Sequence, residues 1–328
     1  MQREKQTILV TGGAGFIGGN FVLGTVGDYR VVNLDALTYA GNPDTLASVS
    51  DNPDHVFVQG RIGDRELVDR LLTAHRPWAI VNFAAETHVD RSIVGAADFV
   101  VTNVLGAQTL FDACLRTGVR RVVHIGTDEV YGSIDQGSWT EESALLPNSP
   151  YSAAKAGAEL LARAYARTYG LDISTTRCSN NYGPYQFPEK VIPLFVTNLM
   201  DGVRVPLYGD GMNVRDWLFV DDHCRGVQLV LERGERGESY NIGGGVELTN
   251  RELTQRLLDA MDANWDMVEY VEDRKGHDRR YSVDDAKIRS LGYAPQHSLD
   301  EGLAKTVRWY RDNEAWWRPL KEKAHSAR

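Results

Sequence analysis

The chain has 328 residues, of which 42% are hydrophobic, and a formal net charge of −9 at pH 7. This length is more than twice that of a typical domain of about 150 residues, so we expect one large or two unequal domains. The negative charge argues against a nucleic-acid-binding protein, although helix N-termini and local cationic side chains can still hold an anionic small ligand.

The three cysteines, Cys114, Cys178 and Cys224, lie far apart and have neither metal-ligand nor redox-motif spacing. We therefore expect reduced thiols, no metal site and a cytoplasmic protein. The N-terminus leads into a predicted strand without the apolar core of a signal peptide. No apolar run approaches the roughly 20 residues that a membrane span needs.

The first predicted strand, Thr7–Thr11, leads into a glycine-rich turn and then an amphipathic helix. This is the context of a dinucleotide-binding fingerprint, in which the backbone approaches a pyrophosphate at the helix N-terminus. An ordinary glycine-rich turn is the alternative. The glycines fit two spacings, G-x-G-x-x-G at Gly13, Gly15 and Gly18, and G-x-x-G-x-x-G at Gly12, Gly15 and Gly18.

The second predicted strand, 30–34, leads to Asp35, which lies 20 residues after Gly15. A carboxylate at this position binds the adenosine ribose diol and repels a 2′-phosphate, so we expect NAD rather than NADP. A loop-capping aspartate is the alternative.

Strands and helices continue to alternate along the chain, which predicts an α/β fold with a Rossmann-type, doubly wound parallel sheet. Asp64 begins a helix directly after a strand, so it either caps that helix or reaches the adenine. The further predicted strands are 55–59, 79–84, 121–125 and 172–177, and the predicted helices are 64–75, 98–117 and 151–169.

The loop 84–92 collects polar side chains at the carboxyl end of a predicted strand, where open α/β sheets bind their ligands. Glu86, His88 and Asp90 suggest a metal site. No second histidine lies nearby, and loop polarity or contacts with a cofactor explain these residues better.

The stretch 123–155 contains the largest group of side chains that could take part in catalysis. Thr127, Asp128 and Glu129 follow a predicted strand, and Tyr151 and Lys155 share one face at the start of an alanine-rich helix. These groups suit acid–base chemistry. The structural alternatives are a half-buried aromatic, a surface lysine and solvated turn carboxylates.

Glycine and proline separate shorter elements from Ser179 onward. We predict an NAD-binding domain at 1–178 that carries the catalytic residues, and a smaller α/β region at 179–328 that mainly binds substrate. The boundary is not sharp, and we expect some segments of each region to pack into the other. A last helix is predicted at 299–317, followed by a solvated tail from about residue 321.

Together these motifs resemble the extended short-chain dehydrogenase/reductases that act on nucleotide sugars. The triplet 127–129 and the segment 276–281 are similar to the dTDP-glucose 4,6-dehydratases within that superfamily, and the resemblance covers roughly residues 7–309. The glycine and Tyr-x-x-x-Lys motifs are shared by many activities, whereas the acidic pair and the His-Asp-Arg-Arg-Tyr segment are specific.

The resemblance implies a hydro-lyase that uses NAD to convert dTDP-glucose to dTDP-4-keto-6-deoxyglucose in deoxysugar biosynthesis. Oxidation at C4 comes first, because the hydrogen at C5 becomes acidic only beside a carbonyl. Water then leaves from C5 and C6, and the hydride returns to C6.

The resemblance also implies a role for each of the five polar residues named in the stretch 123–155. Tyr151 is the base at O4, Thr127 binds O4, and Lys155 holds the nicotinamide ribose. Glu129 is the base at C5 and Asp128 the acid at the C6 hydroxyl. A phenol with a pKa of about 10 needs a downward shift of roughly 3 units, the direction in which Lys155 and the nicotinamide ring act.

Two sets of binding residues follow from the same resemblance. For the charged members, a surface charge or a structural ion pair is the alternative. The cofactor set is Gly12, Gly15, Phe16, Ile17, Gly18, Asp35, Thr38, Asp64, Ala84, Tyr151 and Lys155. The substrate set is Thr87, Asn180, Glu189, Lys190, Pro206, Tyr208, Arg215, Asn250, Arg274, His277 and Tyr281.

A nucleotide-sugar 4-epimerase or decarboxylase of the same fold is the nearest alternative function, and it would not need an acid beside Glu129. An NAD-sensing protein without catalysis is more remote and would be expected to lack Tyr151 or Lys155. The helices 98–117 and 151–169 pair into a dimeric bundle in relatives, which implies a homodimer, although apolar stripes there also fit a monomer's core. We expect neither a nucleic-acid nor a membrane partner.

Overall fold

A computed structural model describes residues 5–273 and 277–326 of the chain. A π-helical segment lies at Val100–Gly106. The strands are β1 Thr7–Thr11, β2 Arg30–Asp35, β3 His55–Gln59, β4 Ala79–Asn82, β5 Arg121–Thr127, β6 Asp172–Cys178, β7 Asn180–Tyr182, β8 Val205–Tyr208, β9 Val214–Phe219, β10 Ser239–Ile242, β11 Glu247–Thr249 and β12 Val268–Val271. The α-helices are α1 Phe16–Thr25, α2 Arg65–His75, α3 Val89–Val94, α4 Ala97–Phe99, α5 Ala107–Thr117, α6 Pro150–Thr168, α7 Val191–Met200, α8 Val220–Arg233, α9 Asn250–Ala260, α10 Ala286–Ser290, α11 Leu299–Asp312 and α12 Glu314–Ser326.

The central sheet has seven strands in the order β10-β6-β5-β4-β1-β2-β3, and every neighbouring pair is parallel. The predicted Rossmann-type sheet is therefore confirmed. β10 lies beyond residue 178 and pairs with β6, so the chain returns to the large sheet after the predicted domain boundary. The division at that residue stays a prediction.

Helices cover both faces of this sheet because successive strand residues point to opposite sides. In β1, Ile8 and Val10 pack into one apolar core with α1 and α8, whereas Leu9 packs into a second core with α2, α5 and α6. Strands buried on both faces read as continuous apolar runs, which is why their positions could be predicted from the sequence.

A third apolar core holds the C-terminal region together. Two small sheets, β11-β9-β7 and β12-β8, lie in this region. Tyr310 and Trp317 are fully buried there.

The C-terminal end differs from the prediction in two ways. The single helix predicted at 299–317 is two helices, because α11 ends at Asp312 and α12 begins at Glu314. The solvated tail predicted from about residue 321 is confirmed only in part: Glu322 and Lys323 are exposed, but they lie in α12, and Lys321 is not solvated. Lys321 is buried, and its Nζ lies 2.8 Å from Asp201 Oδ2 and 5.7 Å from the centre of the Trp317 ring. A lysine can bury its methylene chain along an aromatic ring while its ammonium group pairs with a carboxylate.

A buried ion pair fixes α6 against β6. The Arg177 guanidinium donates from Nε to Glu159 Oε1 at 2.8 Å, and it also donates to the Tyr131 hydroxyl. That hydroxyl in turn donates to Asn241 Oδ1 at 2.8 Å on β10. The orientation of α6 is therefore tied to three neighbouring segments of chain.

Candidate active site

The carboxyl ends of the central strands open into one cavity of about 640 Å³. The cavity is lined by every residue of the predicted cofactor set, by every predicted catalytic residue and by four members of the predicted substrate set. Those four are Thr87, Asn180, Glu189 and Lys190. The roles of the individual residues stay predictions.

The glycine turn after β1 fits a dinucleotide. A Cβ on Gly12, which has a φ of +72°, would lie 2.6 Å from the backbone nitrogen of Ala84, and one on Gly18 would lie 2.3 Å from the Gly12 carbonyl oxygen. Gly15 caps α1 without a side-chain hydrogen bond, and the first turn of α1 carries no acidic residue. The N-terminus of α1 thus offers backbone N–H groups and positive dipole charge to a pyrophosphate.

Asp35 has the loop-capping role that the sequence left open, and its ribose-binding role stays a prediction. Its Oδ2 accepts from the Ala14 N–H at 2.9 Å and its Oδ1 from the Leu37 N–H at 2.8 Å, so it caps the loop after β2. Each carboxylate oxygen can accept a second hydrogen bond, and Asp35 lines the cavity, so a ribose diol also fits there. Burial raises the pKa of Asp35, and the two backbone N–H groups oppose that shift.

Asp64 caps α2, as one of its two interpretations predicted. Its Oδ1 accepts from the Leu67 N–H at 3.0 Å. Because Asp64 also lines the cavity, an adenine contact stays a prediction.

The chain turns at Thr127. β5 ends at Thr127, and a 3-10 turn, Asp128–Tyr131, follows directly. The Thr127 hydroxyl accepts from the Glu129 N–H at 3.3 Å and donates to Asp128 Oδ1 at 3.4 Å. In a continuous strand these neighbouring side chains would point to opposite faces, whereas the turn lets all three line one cavity.

Asp128 is a carboxyl group whose surroundings favour its protonated form. Its side chain is buried, and within the described part of the chain its Oδ2 has no hydrogen-bond partner. Burial raises the pKa of Asp128 well above its usual value, and the charges of Glu129 and Asp216 raise it further. Arg215 and the Thr127 hydroxyl act in the opposite direction. A protonated carboxyl group can serve as a general acid.

Tyr151 and Lys155 lie in the first two turns of α6, and both are almost completely buried. The helix begins with a capping box between Ser149 and Ser152. The Lys155 ammonium donates to the backbone carbonyl of Ile125 on β5. The two side chains therefore meet the cavity next to the end of β5.

The downward shift expected for the pKa of Tyr151 depended on Lys155 and the nicotinamide ring, whereas the protein chain alone shifts this pKa upward. Burial, followed by the charge of Glu129, raises the pKa of this phenol well above its ordinary value, although the Thr127 hydroxyl opposes the shift. Burial also lowers the pKa of Lys155 to about 8. The protein chain by itself thus keeps Tyr151 protonated, and an additional positive charge is needed to make it a base.

Most of the other predicted substrate residues lie in the C-terminal region and do not line this cavity. The Arg215 guanidinium lies 4.4 Å from the centre of the Tyr281 ring, and the rings of Tyr208 and His277 are 6.4 Å apart. Pro206 lies on β8, and Asn250 begins α9. Arg274 lies outside the residues that the structure describes. The binding roles of this group stay predictions.

The cavity lining also includes residues that the predicted sets omitted, and Tyr39 and Cys178 are two of them. Tyr39 follows Asp35 in the loop after β2, and Cys178 is the last residue of β6. Both lie where a central strand ends, and this position was the signal that could have identified them.

His88, in the loop after β4, contacts two neighbouring residues of the protein. Its Nδ1 accepts from the Arg91 N–H at 3.3 Å, and its Nε2 lies 3.4 Å from Glu189 Oε2. Across residues 5–273 and 277–326, no group of three or more His, Cys, Asp or Glu side chains could hold a metal ion. No helix in the same ranges is both long and apolar enough to cross a membrane.

Comparisons with known proteins agree with this geometry. Residues 9–306 match the family model described as GDP-mannose 4,6 dehydratase. A dTDP-glucose 4,6-dehydratase from Streptomyces antibioticus is 58% identical over 325 residues, which covers 96% of each chain. The solved structure of DesIV, a dTDP-glucose 4,6-dehydratase from Streptomyces venezuelae with NAD bound, is 61% identical, has a TM-score of 0.93, and covers 96% of this chain and 100% of that chain. A UDP-glucose 4-epimerase from Thermotoga maritima is 33% identical, with a TM-score of 0.89, and covers 94% of this chain and 100% of that chain.

The glycine turn gives a test of the dinucleotide site. We expect Gly18→Ala to abolish NAD binding, because its Cβ would lie 2.3 Å from the Gly12 carbonyl oxygen and force the turn open. Gly24→Ala on the same helix is the matched control, because a Cβ at that residue would meet no heavy atom within 4 Å. NAD binding is measured by titration calorimetry on the purified variants. Equal affinity in both variants would contradict this assignment.

Proposed function

The chain belongs to the dTDP-glucose 4,6-dehydratases, and we propose that Thr127, Asp128, Glu129, Tyr151 and Lys155 carry out the reaction of this family. The protein is an NAD-dependent hydro-lyase that converts dTDP-glucose to dTDP-4-keto-6-deoxyglucose. Relatives named for dTDP-glucose match over nearly the whole chain, so they define the activity more narrowly than the description of the family model does.

The oxidation uses the side chains at the end of β5 and the start of α6. NAD bound in the cavity supplies a hydride acceptor at C4, a hydride donor at C6 and a positive charge beside Tyr151. Tyr151 takes the O4 proton, and the Thr127 hydroxyl hydrogen-bonds O4. Lys155 holds the nicotinamide ribose, and its ammonium charge favours the phenolate form of Tyr151. The convergence of these groups on one cavity supports their assignment.

The elimination uses the two carboxyl groups of the turn after β5. Glu129 removes the proton at C5, and Asp128 donates a proton to the C6 hydroxyl, which leaves as water. Two carboxyl groups in one site divide these roles when their surroundings separate their pKa values. The observation that carries this proposal is the burial of the Asp128 carboxyl group, whose Oδ2 has no hydrogen-bond partner in the described part of the chain; this burial raises its pKa.

The same observation argues against a 4-epimerase. An epimerase oxidises C4 and returns the hydride to C4, so it needs no acid at C6. A buried carboxyl group with an unpartnered oxygen beside Glu129 is costly for the fold, and the elimination gives it a role.

The two carboxyl variants test this division of labour. We expect Asp128→Asn and Glu129→Gln to slow elimination by roughly 10²- to 10⁴-fold, the usual size of a general acid or base contribution. C4 oxidation should fall much less, because Tyr151 and Thr127 remain. Single-turnover assays measure oxidation by the absorbance of the reduced nicotinamide and elimination by chromatography of the sugar product.

Asp135→Asn is the control for the loss of a carboxylate, because Asp135 is an exposed loop residue outside the cavity. It should leave both steps unchanged. An equal collapse of oxidation and elimination in the Asp128 and Glu129 variants would show that the roles are wrongly assigned.

We also propose that the protein is a homodimer. Val101, Leu105 and Leu160 are each more than half exposed, and they lie on the π-helical segment and α6, within the two helices that the sequence resemblance implicated. Exposed apolar side chains of this kind mark protein interfaces.

We also propose a cytoplasmic location, because all three cysteines are unpaired. Cell fractionation tests this location.

Charged substitutions test the dimer. The double variant Leu105→Glu/Leu160→Glu should be monomeric by light scattering, because apposed carboxylates would repel each other and lose hydration. Val203→Glu introduces the same charge at an exposed valine in the C-terminal region and should stay dimeric. A double variant that keeps the native mass would contradict the proposed interface.

A further inference from the structure

The N-terminus of α6 is held by a residue that lies outside the cavity. The first N–H groups of a helix have no partner within the helix, so other groups must accept them. Ser149 accepts from the Ser152 N–H at 3.1 Å. The Tyr151 N–H instead donates to Ser92 Oγ on α3 at 3.2 Å, and the Ser92 hydroxyl donates to the Val89 carbonyl at 2.6 Å.

Ser92 is well placed to define this contact because it cannot move freely. It is 1% exposed, and its own hydroxyl proton is committed to the backbone of α3. Its oxygen is therefore oriented with a lone pair toward the Tyr151 N–H. The Tyr151 side chain also packs edge-on against the Phe99 ring, with ring centres 6.3 Å apart.

Arg91, the residue before Ser92, connects α3 to two other parts of the cavity lining. The Arg91 guanidinium lies 3.8 Å from the centre of the Tyr39 ring and 3.6 Å from Glu189 Oε2. Tyr39 and Glu189 both line the cavity, one from the loop after β2 and the other from the segment before α7. One short helix thus contacts the start of α6 and two further walls of the site.

We propose that Ser92 is a positioning residue for Tyr151. Its hydrogen bond sets the first turn of α6 relative to the walls that α3 also contacts, and so places the phenol against the bound sugar. The proposal rests on the proposed role of Tyr151 as the base at O4. Proton transfer needs the two oxygens within hydrogen-bond reach, and a displacement of about 1 Å can cost roughly 10²-fold in rate.

The matched pair Ser92→Ala and Ser149→Ala separates positioning from helix stability. Each variant removes one hydroxyl that accepts an N–H from the first turn of α6, but only Ser92 connects Tyr151 to α3. We expect Ser92→Ala to lower the single-turnover rate of C4 oxidation by roughly 10- to 100-fold, with the KM for dTDP-glucose nearly unchanged. Ser149→Ala should oxidise C4 at nearly the native rate.

Both variants are assayed at a temperature where circular dichroism shows them folded. If Ser92→Ala does not fold, Ser92→Cys takes its place, because a thiol of similar size is a much weaker acceptor, and it should also slow oxidation. A native oxidation rate in the folded Ser92 variant would overturn the proposal. So would an equal loss in Ser92→Ala and Ser149→Ala.

Tyr151→Phe separates a failure of this inference from a failure of the proposed function. It should abolish C4 oxidation, because it removes the base and leaves the Ser92 hydrogen bond to the backbone intact. If Tyr151→Phe oxidises C4 normally, the proposed role of Tyr151 is wrong. If it is inactive while the folded Ser92 variant is fully active, only the positioning role fails.

Discussion

The parallel arrangement of the central sheet is the constraint on which the site depends. When all strands run in one direction, every loop that follows a strand emerges at the same edge. The glycine turn after β1, Asp35 at the end of β2, the polar loop after β4 and the acidic turn after β5 therefore open into one cavity, although they span more than a hundred residues of sequence. α6 adds Tyr151 and Lys155 to this edge because the ion pair of Arg177 with Glu159 fixes it against β6.

Burial gives the site its acid–base character, and it acts differently on each group. It raises the pKa of Asp128, which suits a general acid, and it lowers the pKa of Lys155 to about 8. It also raises the pKa of Tyr151, which opposes a basic role. A site of this kind keeps the phenol protonated until a cation lies beside it, so the chain alone does not complete the base. Under the proposed role of Tyr151, proton removal from O4 therefore depends on the positive charge of the oxidised cofactor.

The sequence predicted the parts of the structure that depend on local pattern. β1 and β3 have the predicted bounds, and the capping of α2 by Asp64 was one of its two interpretations. Contacts between distant segments were not visible. Tyr39 beneath Arg91, Ser92 at the start of α6 and Lys321 beside Asp201 each depend on how separate elements pack. The shift of the Tyr151 pKa was missed for the same reason, since its direction depends on burial that no local pattern reports.

The claim that one cavity carries out oxidation, elimination and return of the hydride is tested most directly with dTDP-glucose deuterated at C4. The protein should yield the 4-keto-6-deoxy sugar with the deuterium at C6, detected by NMR or mass spectrometry. Deuterium lost to solvent would contradict an internal hydride return. Recovery of a C4 epimer, or of unchanged sugar from folded protein supplied with NAD, would contradict the dehydratase assignment itself.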